Sequence, residues 1–535
     1  MSAPLPVCSS EPARTQREVE VGITTSRGAE GPLQPVFDVA LGPTAGERAI
    51  PAWAPEAAGL PRSRGERRWG SRDRAGASAL EAAELPRSRI EGVGGPLPPR
   101  ARVGAAGDAL RRTGRALRVG WILVGALACR PPADVMPGYV RLRVATWNVS
   151  MYRDGAGQLA ADLATGRDPQ AWAAAAVLRE LRPDVLLLNE IDHDPAGDPV
   201  GLFVERYLAA DVAVLGPDGL VGVLGAAGNG LTLGPPLRYP YRLSPPVNTG
   251  VPSGLDLDAD GVVGTPEEAA SDAWGFGRYP GQYGLAVLST RPIGAPRTFQ
   301  ELPWSAMPDS LLYAAGDAGP LYPDEVAARV RLSSKTHADV PVEVGAGLHL
   351  LVSHPTPPVF DGPEDRNGRR NHDEVGFWTR YVGAGDTSWI VDDAGVSGGL
   401  GGQPWVVMGD LNNDPADGDG RHDAILGLIA AAGRAVDEAP RSAGAASSSA
   451  RQPEANAAHL GPPALDTIEL ANRTPGNLRL DYVLPSNALV ILNQGVFWPE
   501  VSDPRYGLVG DPPFPVSDHR LVWADLAVPC AGRCR

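Results

Sequence analysis

Seven largely apolar runs of four to eight residues, Val140–Trp147, Val185–Asn189, Leu285–Ser289, Leu348–Val352, Trp405–Met408, Leu478–Leu484 and Leu521–Asp525, each break off at or beside a polar residue, Gly or Pro. Runs this short cannot span a bilayer, and their length and punctuation are those of buried strands. Between them, Pro169–Leu181 and Ala424–Ala432 have helical composition, so the pattern is α/β. The polar residues that close or border the runs are Asn148, Glu190, His354, Asp410 with Asn412, and Asp481, while Asp518 and His519 precede the last run. Strands lying side by side bring such ends to one cleft. Glu190 is the most telling, because it terminates Val-Leu-Leu-Leu-Asn, where an unpaired buried carboxylate would be costly.

Residues 1–135 lack this pattern. They are rich in Arg, Ala, Gly and Pro and read as a non-globular leader, which leaves one globular domain over residues 137–530 with insertions near 210–280 and 438–463. The second insertion reads as a low-complexity Ala/Ser/Pro surface loop. Within the leader, Arg111, Arg112, Arg115 and Arg118 precede a short apolar run from Trp121 to Cys129. A basic segment followed by an apolar run of that length reads as a signal peptide rather than a membrane span, with Cys129 placed as a lipid-anchored cysteine would be. The expectation is an exported bacterial protein, extracellular or held at the cell surface, and monomeric. Cys530 and Cys534 could close a small terminal disulfide, and no cysteine lies between Cys129 and Cys530 to build a zinc site.

Charge narrows the chemistry further. Residues 136–535 carry 29 basic and 49 acidic side chains, and Lys335 is the only lysine. A surface so acidic does not itself attract a polyanion, so a cation must assist if the substrate is a phosphate ester. The segment Trp405-Val-Val-Met-Gly-Asp410-Leu-Asn412-Asn413-Asp414 can present several oxygens to one point, as a hard divalent cation requires.

The motifs Ala-Thr-Trp-Asn148-Val, Leu-Leu-Asn-Glu190-Ile, Val-Ser-His354-Pro, Gly-Asp410-Leu-Asn412, Leu-Asp481-Tyr-Val-Leu and Ser-Asp518-His519-Arg together resemble the endonuclease/exonuclease/phosphatase superfamily. That superfamily includes deoxyribonuclease I, abasic-site nucleases, inositol polyphosphate 5-phosphatases and bacterial sphingomyelinases. The resemblance implies a four-layer α/β sandwich of two mixed β-sheets flanked by helices, the deoxyribonuclease I-like fold. It implies hydrolysis of a phosphodiester or phosphomonoester with Mg²⁺ or Mn²⁺. Carried over residue by residue, Asn148, Glu190 and Asp518 would bind the metal, and Asp410 would orient or deprotonate water. Asn412 would hold the phosphate, His354 would stabilise the transition state, and His519 would serve as base or phosphate donor braced by Asp481. Asn189 departs from the pattern, since many members have Gln there. The substrate stays open between nucleic acid and a small phosphorylated molecule such as an inositol phosphate, sugar phosphate or lipid head group. A catalytically silent surface binding protein on the same fold is the alternative reading.

Two further features bear on ligands. Arg366, Arg369 and Arg370 follow His354 in a polar stretch read as a substrate-facing loop, and Lys335 belongs to a second small basic cluster. Asp256, Asp258, Asp260, Val262 and Glu267 have the spacing of a calcium loop, with Gly261 at its sharp turn. A structural Ca²⁺ is expected there.

Overall fold

The computed structural model describes residues 137–215, 219–228, 231–265, 269–314 and 320–532. The leader, its segment 111–129 with Cys129, Glu267 and Cys534 lie outside the described residues, and Cys530 is disulfide-bonded. No helix among the described residues is long and apolar enough to cross a membrane.

Among the described residues, eleven strands form two sheets. They are β1 (Tyr139–Met151), β2 (Val185–Ile191), β3 (Tyr241–Leu243), β4 (Leu285–Ser289), β5 (Arg297–Thr298), β6 (Ala338–Val342), β7 (Leu348–Val352), β8 (Trp405–Asp410), β9 (Asp481–Pro485), β10 (Val490–Val496) and β11 (Val522–Pro529). The first sheet runs β10-β11-β1-β2-β4-β3 and the second β5-β6-β7-β8-β9. Only β1–β2 and β7–β8 are parallel pairs, so both sheets are mixed.

Side-chain alternation explains the layers. Along β7, β8 and β9, Leu348, Leu350, Val352, Val406, Met408 and Val483 join a core shared with Leu142, Val144, Leu186 and Leu188 of the first sheet. Their alternates Leu351, Trp405, Val407, Tyr482 and Leu484 face a second core with Phe377, Trp378, Ile425 and Leu428 from helices. A period of two thus gives each central strand two buried faces. Pro169–Leu181 forms the expected helix. Asp168 caps its start by accepting from the Ala171 amide, and Arg182 ends it in the left-handed conformation.

Three expectations need correction. The polar stretch after His354 is not simply a loop, because Arg366–Val382 is a helix of 17 residues. Its inner face is polar as well as aromatic, with Arg370, Asn371, Asp373 and Glu374 buried beside Phe377 and Trp378. The 438–463 insertion is no mere surface loop either: Ala443–Arg451 is helical, with Gly444, Ala445, Ser448 and Ser449 buried. A Cβ on Gly444 would lie 2.0 Å from the Trp498 carbonyl oxygen, so the small residues permit close approach. Finally, β9 begins at Asp481, because Leu478 and Leu480 pack in a separate small cluster with Ile468.

Candidate active site

Strand register assembles the site. The β1–β2 pairing sets Asn148 beside Asn189, one residue before Glu190, and the β8–β9 pairing sets Asp410 beside Asp481. His354 follows β7 by two residues, and His519 precedes β11 by three. The facing sheets bring these ends together.

Asp410 is the hub. Its Oδ2 accepts from Asn148 Nδ2 at 3.0 Å and lies 3.4 Å from His354 Nε2 and 3.7 Å from His519 Nε2. The same Asn148 amide donates to Glu190 Oε1 at 2.9 Å, and His354 Nε2 lies 3.9 Å from that oxygen. His519 Nδ1 meets Asp481 Oδ2 at 2.8 Å. All of these side chains are buried except that of Glu190, which keeps 20% of its surface exposed. Glu190 and Asn412 sit at φ 58° and 51°, a region that non-glycine residues adopt at a cost and that clusters at functional sites.

Electrostatics separate the two histidines. Burial alone would lower His519, but the carboxylates of Asp481, Asp410 and Asp518 outweigh it and raise the imidazole well above its usual value. Burial, helped by the Lys335 charge, pushes His354 down to about 4. Its buried Nδ1 has no hydrogen-bond partner, which favours the tautomer with the proton on Nε2, facing Asp410. Burial likewise opposes the Asp410 charge, yet His519 and the hydrogen bonds from His354 and Asn148 hold this carboxyl below the ordinary range. Burial pushes Glu190 up to about 7 against the Asn148 hydrogen bond. The cost of ionising Glu190 falls once a cation lies beside it.

Ligand atoms of Glu190, His354 and Asp410 lie within 4.8 Å of one another, as do those of Asp410, Asp481 and His519. Either group could hold a metal ion. Asp518 is half-buried and near enough to raise Glu190, and its Oδ1 accepts from Ser517 Oγ at 3.4 Å. Asn412 donates its amide to the Pro355 carbonyl at 3.1 Å, and Lys335 Nζ donates to the same oxygen at 3.3 Å. Lys335 is buried and within electrostatic reach of Glu190 and Asp410.

The arginines lie elsewhere. Arg370 is buried and spends its guanidinium on the carbonyls of Leu332, Trp274, Arg331 and Ser333. Arg369 donates to the Ala314 carbonyl and Arg366 to that of Leu257, so all three brace the fold. Sequence reading also passed over supporting residues. Thr467 Oγ1 donates to Asp481 Oδ2 at 2.8 Å and accepts from the Leu480 and Asp481 amides, each at 3.0 Å. Glu374 takes the Ser334 and Thr356 amides at 2.6 and 2.7 Å, fixing the segments that carry Lys335 and follow His354. No local pattern marks either residue.

Residues 145–519, which contain every member of this cluster, match the model of the endonuclease/exonuclease/phosphatase family. The chain belongs to that family. Members of the endonuclease/exonuclease/phosphatase family are phosphoester hydrolases. Among solved structures the chain is similar to an endonuclease/exonuclease/phosphatase from Beutenbergia cavernae, at 18% identity over 73% of this chain and 72% of that one, with a TM-score of 0.34. It is similar also to sphingomyelinase C from Streptomyces griseocarneus, at 16% identity over 72% and 99%, with a TM-score of 0.33. A family protein from Leptotrichia buccalis gives 12% identity over 72% and 98%, with a TM-score of 0.33. No curated protein matches the sequence.

In the 210–280 insertion, ligand oxygens of Asp256, Asp258 and Asp260 also lie within 4.8 Å of one another. Gly261, at φ 87°, donates its amide to Asp256 Oδ2, and Asp256 Oδ1 is buried without a hydrogen-bond partner.

Proposed function

We propose that the chain is an exported, divalent-metal-dependent phosphoesterase that attacks phosphorus in line with water. The observation that carries this reading is the convergence on Asp410 of Asn148, His354 and His519, each from a different strand end. The residues fit a hard cation, since Glu190, Asn148 and Asp518 offer carboxylate and amide oxygens and Glu190 is costly to ionise without one. Mg²⁺ or Mn²⁺ bound there would neutralise charge on the phosphoryl oxygens.

The chain's own groups do the rest. Asp410 stays ionised and orients or deprotonates the attacking water. His519, cationic between Asp481 and Asp410, donates Nε2–H to a phosphoryl oxygen, and Asp481 fixes the ring by holding Nδ1–H. His354, neutral, presents Nε2–H from the opposite side, while Asn412 and Lys335 bound the phosphate near the Pro355 carbonyl. The acidity of the chain favours a small phosphorylated substrate over a long nucleic acid. Export rests on the 111–129 segment alone. Asp256, Asp258 and Asp260, with the Val262 carbonyl and Glu267, are read as a structural calcium loop, expected to raise the melting temperature in Ca²⁺ and to lose that shift in Asp256→Ala.

Hydrolysis of bis(p-nitrophenyl) phosphate and p-nitrophenyl phosphate with Mg²⁺ or Mn²⁺, abolished by EDTA and lowered at least 10²-fold by His519→Ala, is the expected result. Turnover that survives EDTA, or an active His519→Ala enzyme, would overturn the assignment.

A further inference from the structure

On the Glu190 side of the cleft, two tyrosines have no part in the chemistry described above. Tyr152 directly follows β1, whose last residue Met151 pairs with Ile191. Tyr283 precedes β4 by two residues, and the Gly284 carbonyl between them accepts from the Ile191 amide at 3.2 Å. Both therefore flank Glu190, and both phenols feel its charge. Their ring centroids are 4.6 Å apart with the planes tilted by 53°, and both residues are only half-buried. Tyr283 holds φ at 55°, an unfavourable backbone for an aromatic residue, stabilised where its amide donates to Asp192 Oδ1.

The hydroxyls of this pair differ from those of five buried tyrosines. Those of Tyr207, Tyr239, Tyr279, Tyr381 and Tyr482 all donate to protein oxygens. No such bond holds the Tyr152 or Tyr283 hydroxyl among the described residues. An aromatic wall with unengaged polar tips, held rigid beside a phosphate site, is suited to a flat group that also carries polar edges. Its surroundings are polar too: Arg278 pairs with Asp154 at 3.1 Å, and Asp192 accepts from Tyr279. That setting suits a nucleobase better than an acyl chain.

We propose that Tyr152 and Tyr283 form an aromatic subsite beside Glu190 that takes the planar ring of a small phosphate ester of the mononucleotide class. The subsite deepens the phosphoesterase reading and rests on it for the position of the phosphate. A long strand fits poorly, because stacking along a strand needs a cationic track and residues 136–535 have 49 acidic against 29 basic side chains.

Calorimetric titration of the full chain carrying His519→Ala, which suppresses turnover, with AMP and with ribose 5-phosphate in Mg²⁺ separates ring from phosphate. AMP is expected to bind about tenfold more tightly, within what one base–aromatic stack supplies. That ratio should collapse toward one in Tyr152→Leu/Tyr283→Leu and persist in Tyr283→Phe, which keeps the ring. Equal affinities in that chain, or a ratio unchanged when the two leucines are added to it, would overturn the subsite. The two readings fail separately. Ring discrimination without hydrolysis of any ester would sink the phosphoesterase assignment alone, whereas hydrolysis of methyl p-nitrophenyl phosphate without ring discrimination would sink the subsite alone.

Discussion

Thr467→Val is the sharpest probe of how the site is held. The substitution keeps the shape of the side chain and removes one oxygen that does three things: it donates to Asp481 Oδ2 at 2.8 Å and accepts from the Leu480 and Asp481 amides at 3.0 Å. A buried amide stripped of its acceptor costs about 1–3 kcal/mol, so the two together cost about 2–4 kcal/mol after partial relaxation. Asp481 Oδ1 is already buried without a partner, so loss of the threonine leaves His519 as the remaining side-chain donor to this carboxylate. The ring that depends on Asp481 for its orientation then wanders, and removal of such outer support typically lowers activity by about 10–100-fold. Urea unfolding read by tryptophan fluorescence gives the stability change, and kcat for bis(p-nitrophenyl) phosphate gives the functional one. Thr467→Ser, which keeps the hydroxyl, should recover most of both. If Thr467→Val stays within about 0.5 kcal/mol of the native protein and turns over at the native rate, the proposed bracing of Asp481 is wrong.

Three other outcomes are expected. Arg370→Met should lower stability by about 3–5 kcal/mol, because four carbonyls lose a buried charged donor; KM should not change, and a raised KM with unchanged stability would restore a substrate-facing role. Burial lowers His337 below its usual value, so the folded state resists a proton that the unfolded chain accepts; stability should fall as pH drops below about 6.5. His337→Gln should flatten that part of the stability curve, and an unchanged slope between pH 7 and pH 5 would count against a neutral buried imidazole. Deleting residues 1–135 should leave a folded protein of equal activity, and loss of folding would move the domain boundary toward the N-terminus.

What could be read in the sequence was set by how each residue is buried. β1, β2, β4, β7 and β8 lie in sheet interiors, so most of their side chains are apolar, and Asn148, Glu190, His354 and Asp410 stand out where the runs stop. The helix Arg366–Val382 was obscured for the opposite reason. Arg370, Asn371, Asp373 and Glu374 occupy its buried face and satisfy loops, so an apolar period is missing where a helix would show one. Ala443–Arg451 was hidden because close packing against Trp498 calls for Gly, Ala and Ser, the composition of a flexible loop. Edge strands were missed as well: β3 and β5 are short, and Val490 and Leu492 of β10 are 41% and 45% exposed. Thr467 and Tyr283 carry no local mark, since only the folded chain sets them beside Asp481 and Glu190.

Mn²⁺ binding followed by electron paramagnetic resonance, in the native chain and in Glu190→Gln, tests most directly whether the strand ends build one cation-dependent centre. One active-site ion is expected in the native protein, with affinity reduced by about tenfold or more in the variant and hydrolysis reduced with it. Native-like Mn²⁺ affinity and turnover in Glu190→Gln would contradict it.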